Sequence, residues 1–285
     1  MNEIVIEQKK GLLRNTLDKF YTKSTVAHQC GKWILEHIIV NKTDLVIEPS
    51  AGNGVFIPVI QSMTDNYKFY DIAPDHDDIV MQDYFTLDTT PLKQLGLTTP
   101  IHVIGNPPFG RQSSFAKRFI KQSCLFADSI SFILPRSFKK HSMHKSFHRS
   151  FHLLFQIDIP DHSFIVNENE HDVPCVFQIW KRKATMRVEP IKEQPHLFTF
   201  VKKQDAPDIS FRRVGFNAGD ISTNIKAKSE QSHNFIKFDT TVDVDTFLQM
   251  YHDTKQNKNF EENNTVGPKS ISKPQIVERF NILLK

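Results

Sequence analysis

The sequence is 285 residues long, 39% hydrophobic and 24% charged, with 36 Lys and Arg against 32 Asp and Glu for a net charge of +4. That length accommodates one large α/β domain, or a domain of ordinary size with a smaller second one. No run of about 18 apolar residues is present, which excludes a membrane-spanning helix, and residues 1–10 lack the apolar stretch of a secretory signal. Three cysteines, Cys30, Cys124 and Cys175, are odd in number and far apart. Reduced thiols in a cytosolic or nuclear-type compartment, and not secretion, are therefore expected. The mild excess of positive charge suits a polyanionic partner without requiring one.

Residues 4–19 read as a short helix of mixed charge. Thr22 or Ser24 is placed to cap a second helix over 25–40, in which Val26, Cys30, Trp33, Ile34 and Ile38 keep a helical period. A short apolar strand, 44–48, then ends in a carboxylate, Glu48, and runs into Pro-Ser-Ala-Gly-Asn-Gly at 49–54 and a helix over 55–63. Strand, glycine-rich turn and helix form the opening unit of a doubly wound nucleotide-binding sheet, in which glycine lets the backbone approach a ligand. The turn is shorter than a pyrophosphate loop and no Gly-Lys-Ser/Thr follows, so phosphate binding is not indicated there.

A second strand, 67–70, ends in Asp71, 23 positions after Glu48. An acidic residue at that tip commonly holds a ribose diol. A third strand, 79–81, is followed by Asp83, placed to accept from an adenine amino group with Tyr84 or Phe85 beside the ring. Taken singly, Asp71 and Asp83 also read as solvated turn carboxylates. The fourth strand, 101–104, is stopped by Gly105-Asn106-Pro107-Pro108-Phe109. Asn offers an amide donor and an acceptor, and proline has a carbonyl but no N–H. A flat partner with an –NH₂ group, such as a nucleobase, can be bound by Asn106 and the Pro107 carbonyl while lying against Phe109. The plain alternative is a proline-terminated strand end.

A helix over 113–126 follows, with Phe115, Phe119, Ile120 and Leu125 expected inward and Lys117, Arg118 and Lys121 outward; a fifth strand covers 129–134. From 136 to 155 no acidic residue interrupts Arg136, Lys139, Lys140, Lys145 and Arg149. That tract reads either as a solvated basic helix face or as a phosphate-contact surface. His144 and His148 are four apart, but with no Cys or carboxylate among them a metal site is not expected. Strands six and seven, 153–159 and 172–180, flank a polar loop at 167–171. Their connection is too short for a crossover helix, so they should be antiparallel neighbours. The first domain is expected to span 1–184. The extension, 185–285, holds short β pieces (196–201, 209–211, 234–238), a turn-rich pair over 212–219 and a short helix over 244–251. A polar stretch at 255–269 is expected to be mobile, and a last helix covers 271–284 with Ser272 as its cap.

Over residues 18–183 these stretches resemble the S-adenosylmethionine-dependent amino-methyltransferases of nucleic acids, the adenine-N6 group with an Asn-Pro-Pro-aromatic motif. The resemblance implies an α/β fold: a Rossmann-like seven-stranded methyltransferase sheet with an antiparallel last strand, plus a small mixed C-terminal extension. It implies S-adenosylmethionine as cofactor and a nucleic acid as substrate, with no metal and no membrane partner. Phe20-Tyr21-Thr22 looks like the element that closes over the methionine part of the cofactor. By the same resemblance Glu48, Ala51 and Gly52 would line the methionine and ribose, and Asp71 would hold the ribose hydroxyls. Asp83 would take the adenine amino group, with Ile72 and Tyr84 or Phe85 beside the ring. Asn106, Pro107, Pro108 and Phe109 would bind the target amino group and stack a base flipped out of its strand, and Phe164 would complete the aromatic sandwich. Arg136, Lys139 and Lys140 would meet the phosphate backbone.

The motif order, with cofactor elements first, catalytic loop second and extra segment last, is that of the subgroup with a C-terminal recognition region, which favours DNA over RNA. Phe at 109 is seen in RNA enzymes as well as DNA enzymes, and the extension is short for a recognition domain, so both polymers stay open. Two other readings fit some of the same residues. One is methylation of a protein glutamine amide, whose planar –NH₂ suits the same motif. The other is a non-catalytic subunit that only binds nucleic acid, against which the intact Glu48, Asp71, Asp83 and Asn106 speak.

Overall fold

The computed structural model describes residues 20–166, 169–189, 192–255 and 269–285; the helix expected over 4–19 and all but the ends of the polar stretch at 255–269 lie outside them. The chain divides into two compact units, one formed by residues 1–135 and 144–186, the other by 136–143 and 187–285.

In chain order the first unit runs β1 (Tyr21–Thr22), α1 (Ser24–His37), β2 (Leu45–Glu48), α2 (Ile57–Met63), β3 (Asn66–Asp71) and β4 (Val80–Met81). It continues through α3 (Thr90–Leu95), β5 (Ile101–Gly105), α4 (Ser114–Ser123), β6 (Ser129–Pro135) and, after a segment of the second unit that holds most of the short α5 (His141–His144), β7 (Phe151–Asp158), β8 (Phe164–Val166), β9 (Asn169–His171) and β10 (Cys175–Arg182). Seven strands form one sheet in the order β4-β3-β2-β5-β6-β10-β7. Strands β2 to β6 pair in parallel, whereas β10 is antiparallel to both its neighbours. This is the Rossmann-like seven-stranded methyltransferase sheet, with its last strand reversed and inserted between β6 and β7.

Every residue of β2 and β5 is buried, as expected of central parallel strands covered on both faces. The chain steps outward from β2 to β3 to β4, then returns to the other side of β2 as β5. Strand order therefore reverses between β2 and β5, and in open α/β sheets a ligand crevice opens beyond the carboxyl ends of the strands at such a point. Helix α1 packs through one stripe, Ala27, Cys30, Gly31 and Ile34, the i, i+3, i+4, i+7 pattern of a helix with one covered face.

Three expectations about this unit change. Neither Thr22 nor Ser24 caps α1: Lys23 holds the cap position without a side-chain bond, because Thr22 is paired with Phe164 in a strand. The polar segment before β10 is not a plain loop, since β8 and β9 pair with each other and β8 pairs with β1 in a three-stranded sheet. Asn169-Glu170-His171 carries no apolar alternation to announce a strand. Helix α4 is shorter than expected, and Phe115 and Leu125 are 44% and 50% exposed instead of inward.

The second unit is a four-stranded antiparallel sheet, β11 (Phe198–Val201), β12 (Ile209–Arg212), β13 (Ile221–Ser222) and β14 (His233–Phe238), in the order β11-β14-β12-β13. Helices α6 (Val244–Lys255) and α7 (Lys273–Leu283) complete it. Its core is aromatic: Phe280 lies 5.3 Å from Phe198 and 4.8 Å from Phe247 between ring centres. Fully burying such a ring contributes roughly 2–3 kcal/mol. Helix α7 starts where Ser272 suggested, the Ser272 backbone N–H donating to Gln275 Oε1 at 3.0 Å in a capping box. No described helix is long and apolar enough to cross a membrane.

Candidate functional site

At the carboxyl edge of the first sheet, where strand order reverses, a cavity of about 320 Å³ is lined by residues from β1, the β2–α2 turn, the tips of β3 and β5, the segment after β4, and α4. Its volume lies at the lower end of the range for small-molecule sites.

The turn after β2 brings backbone to the cavity. Gly52 has φ +54°, and a Cβ there would stand 3.1 Å from Cε1 of Tyr21. A side chain would thus meet both a left-handed backbone and an aromatic neighbour. The Ala51 N–H donates to the Tyr70 carbonyl at 2.8 Å, tying the turn to β3. Asp71, at the tip of β3, accepts from the Gly52 N–H through Oδ2 and from the Ala73 N–H through Oδ1, both at 2.8 Å. A carboxylate has about four acceptor positions, so Asp71 fixes the loop and keeps capacity toward the cavity. Asp83 accepts from the Phe85 N–H at 2.8 Å through Oδ1, capping a short helical turn at Tyr84–Thr86.

The aromatic wall stacks in sequence. The Tyr84 ring lies parallel to Phe119 at 5.4 Å, Phe85 meets Phe119 edge-on at 4.8 Å, and the Arg118 guanidinium sits 3.8 Å over the Phe85 ring. Tyr84 is itself buried, with its hydroxyl 2.9 Å from Ser123 Oγ. Phe115, Arg118 and Phe119 occupy one face of α4 at i, i+3 and i+4. That spacing was visible in the sequence, but its charge suggested a solvent face and its Phe residues a core face.

The β5 tip holds the most informative side chain. Asn106 Nδ2 donates to the Phe20 carbonyl at 3.2 Å and to Thr22 Oγ1 at 3.1 Å. A backbone carbonyl only accepts, so the nitrogen must face it, and the amide oxygen is turned the other way. That oxygen, Asn106 Oδ1, is buried without a hydrogen-bond partner. Glu48, at the tip of the neighbouring β2, is in the same condition: Oε2 is buried and unpartnered. Burial holds its carboxyl well above the usual carboxylate range, with the Asp71 charge adding to the rise. Gly105 makes room for it, because a Cβ there would lie 3.2 Å from Glu48 Cγ on a backbone with φ +148°. Beyond Phe109 the chain passes through Gln112 and Ser113 at φ 53° and 60°, a left-handed conformation that costs non-glycine residues energy and clusters at functional loops.

No family profile matches the sequence, and no curated protein matches it. Among solved structures the chain is similar to a proposed RNA methyltransferase from Pyrococcus horikoshii, at 14% identity over 58% of this chain and 87% of that one, with a TM-score of 0.44. It is similar to the 23S rRNA methyltransferase ErmE at 14% identity over 60% of this chain and 72% of that one, TM-score 0.40. A modification subunit of a proposed type I restriction enzyme from Vibrio vulnificus YJ016 is 13% identical over 57% of this chain and 44% of that one, TM-score 0.44. The strand order, not these likenesses, defines the fold.

Of the residues singled out in the sequence, Phe20, Tyr21, Gly52, Asp71, Ile72, Asp83, Tyr84, Phe85, Asn106 and Pro108 line the cavity. Thr22, Glu48, Ala51 and Pro107 are buried and do not line it; Thr22 acts by holding Asn106. The Tyr21 hydroxyl donates to Asp75, which the sequence did not suggest. Phe109 is half-buried and packs against the core instead of lining the cavity. Phe164 is displaced further from its expected place: at 1% exposure it is a core residue of β8, with no free ring face for a sandwich. Arg136, Lys139 and Lys140 belong to the second unit. Lys140 is half-buried there, its ammonium donating to the Ser270 carbonyl at 3.2 Å, and burial lowers its pKa. That bond ties the ends of the unit together. His144 stands edge-on to Trp180 and His148 Nδ1 lies 2.9 Å from Ser150 Oγ. Among the described residues no group of three or more His, Cys, Asp or Glu is placed to hold a metal ion.

Proposed function

We propose that the chain transfers a methyl group from S-adenosylmethionine to the N6 amino group of adenine in a nucleic acid. The observation that carries this reading is the buried, unpartnered Asn106 Oδ1, fixed by the Phe20 carbonyl and Thr22 so that only an acceptor is left to meet a ligand. A buried acceptor without a donor costs roughly 1–3 kcal/mol, and an exocyclic amino group removes that cost. By the sequence resemblance the Pro107 carbonyl would be a second acceptor at the same tip, behind the residues that line the cavity.

The residues present fit the cofactor. Glu48 carries a buried orphan oxygen at the strand-reversal point, which an amino-acid ammonium group would satisfy. Asp71 and Asp83 keep acceptor capacity for ribose hydroxyls and an adenine amino group, and the Phe85 and Ile72 side chains offer walls for a flat ring, with buried Tyr84 supporting them through Phe119. When bound, S-adenosylmethionine supplies a methyl carbon on a positively charged sulfur, with a neutral thioether as leaving group. Asn106 Oδ1, with the Pro107 carbonyl as second acceptor, would accept hydrogen bonds from the target amine, leaving the nitrogen lone pair to face that carbon. Transfer of that methyl group to the nitrogen would leave the thioether as the other product, with one amine proton passing to solvent. Positioning and fixed dipoles supply the rate, and no general base is needed.

DNA is favoured over RNA by motif order and the C-terminal extension. To test the polymer class, the protein is incubated with methyl-labelled S-adenosylmethionine and, in separate reactions, duplex DNA, single-stranded DNA, RNA and total protein. Label in a nucleic acid supports the reading. Label in protein alone would replace it with glutamine methylation, and no transfer to any polymer would leave a binding subunit.

A further inference from the structure

The second unit has a pocket of its own, of about 310 Å³, with a different character. Two cationic side chains, Arg212 and Lys228, and two histidines, His233 and His252, line it, against one carboxylate, Asp220. The cations converge there in several ways. Lys203 Nζ donates to the Lys226 and Lys228 carbonyls at 3.0 and 2.7 Å, bringing a further charge to the same segment. Burial lowers the His233 pKa, and the charges of Lys228, Arg212 and Lys203 push it the same way, so His233 lines the pocket as a neutral imidazole beside the two charged groups. Arg212 commits Nε to the Val214 carbonyl at 3.3 Å, which orients its guanidinium.

The turn that joins β12 to β13 adds a second, independent feature. It supplies Asn217 to the pocket lining, and its preceding residue, Phe216, is 100% exposed. A fully solvated phenylalanine on a loose loop would mean little. Here the backbone is tied down: Gly219 N–H donates to the Arg212 carbonyl at 2.8 Å, Arg212 N–H to the Asp220 carbonyl at 2.7 Å, and Gly215 N–H to the Lys269 carbonyl at 2.9 Å. Gly215, at φ +100°, makes the bend. The ring is thus presented outward by an ordered turn, beside a cation-lined pocket.

We propose that the second unit is a polynucleotide-binding site in which the Arg212–Lys228–His233–His252 pocket takes a backbone phosphate and Phe216 stacks on an adjacent base. Cations that track phosphate, combined with a sequence-tolerant aromatic platform, are how polynucleotides are held without base-specific hydrogen bonds. An acidic peptide would use the cations, but unlike a polynucleotide it does not carry a planar ring next to every charge. The proposal does not rest on methyl transfer: it concerns other residues, and needs no S-adenosylmethionine.

The test uses the full chain and fluorescein-labelled single-stranded RNA, single-stranded DNA and duplex DNA, with anisotropy followed over a range of salt. Phe216→Ala is expected to weaken binding about tenfold with an unchanged salt slope. Arg212→Gln combined with Lys228→Gln should also weaken it about tenfold, and flatten the slope by about two phosphate contacts. Lys237→Gln, an exposed charge outside the pocket, should change affinity less than about twofold. The proposal is overturned if no polynucleotide binds at low salt, if Phe216→Ala binds like the wild type, or if Lys237→Gln matches the double variant. Polyglutamate that displaces the oligonucleotide at equal charge would overturn it too. S-adenosylmethionine affinity measured on the same samples separates the two sites, since its retention when oligonucleotide binding fails leaves the first unit's reading standing.

Discussion

The two edges of the first unit's parallel sheet both bury polar side chains, and they treat them oppositely. At the amino edge each is answered from within the protein. Asp44 Oδ2 accepts from the Asn41 backbone at 2.8 Å and lies 3.3 Å from His102 Nε2; His102 Nδ1 is 2.7 Å from Ser129 Oγ; Thr64 Oγ1 donates to the Asp44 carbonyl at 2.6 Å. These bonds knit the starts of β2, β5 and β6. At the carboxyl edge, Glu48 Oε2 and Asn106 Oδ1 sit on neighbouring strands with no partner. Buried polar groups are almost always satisfied. A satisfied network marks a fold contact, and an unsatisfied pair at a strand-reversal point marks a place where a ligand belongs.

The largest expected effect separates the edges outright. Asn106→Ala should lower methyl transfer at least about a hundredfold, the scale of removing one fixed polar contact to a reacting group. S-adenosylmethionine affinity should stay within a few-fold, and stability should change by about 1 kcal/mol for the two donor bonds lost. Turnover assays and equilibrium dialysis on one preparation check this, and retained turnover would remove Asn106 from the reaction.

Asp44→Ala should do the reverse. It strands the Asn41 N–H and His102, and should cost about 3 kcal/mol of stability, read by denaturant unfolding, while turnover per folded molecule stays the same. The same edge has a pH signature. Burial lowers the His102 pKa, partly opposed by Asp44. The unfolded chain therefore takes up a proton first as pH falls below about 6.5, and stability is lost from there down to the lowered folded value. His102→Gln should flatten that loss.

Glu48→Gln should change stability by no more than Asn106→Ala does, and with the opposite sign. Its carboxyl titrates above the usual range in the fold, so its contribution favours the fold below about pH 4.3 and is lost as pH rises toward the raised value. The amide should remove that loss and raise stability by about 1 kcal/mol near neutrality, while weakening S-adenosylmethionine. Because the ligand's ammonium would favour ionised Glu48, wild-type binding should release a proton and tighten as pH rises across the same window. Calorimetry in buffers of different ionisation enthalpy measures this.

How far the sequence reached follows from the range of the interactions involved. The β2–turn–α2 unit, the acidic tips Glu48 and Asp71, and the proline stop at 107–108 are local patterns, and they were legible. Features set by contacts across long stretches of chain were not. The β1–β8 pairing joins residues 21 and 165, and it is this pairing that takes Thr22 out of helix capping and puts its hydroxyl on Asn106. Phe164 is expected to stack a base only by the resemblance, and the same pairing places it in the core. Which face of α4 meets the cavity depends on the loop after Phe109, whose carbonyl accepts from the Phe115 N–H at 3.1 Å. No hydrophobic period encodes that rotation.

The central claim is that the β5 tip accepts an exocyclic amino group, and the chemical identity of the product tests it most directly. After reaction with methyl-labelled S-adenosylmethionine, nucleic acid is hydrolysed to nucleosides and the labelled species is identified by mass spectrometry. The account predicts label on N6 of adenine and none in the Asn106→Ala reaction. Label on a base carbon or a ribose oxygen, neither of which presents an amino group to Asn106 Oδ1, would contradict it.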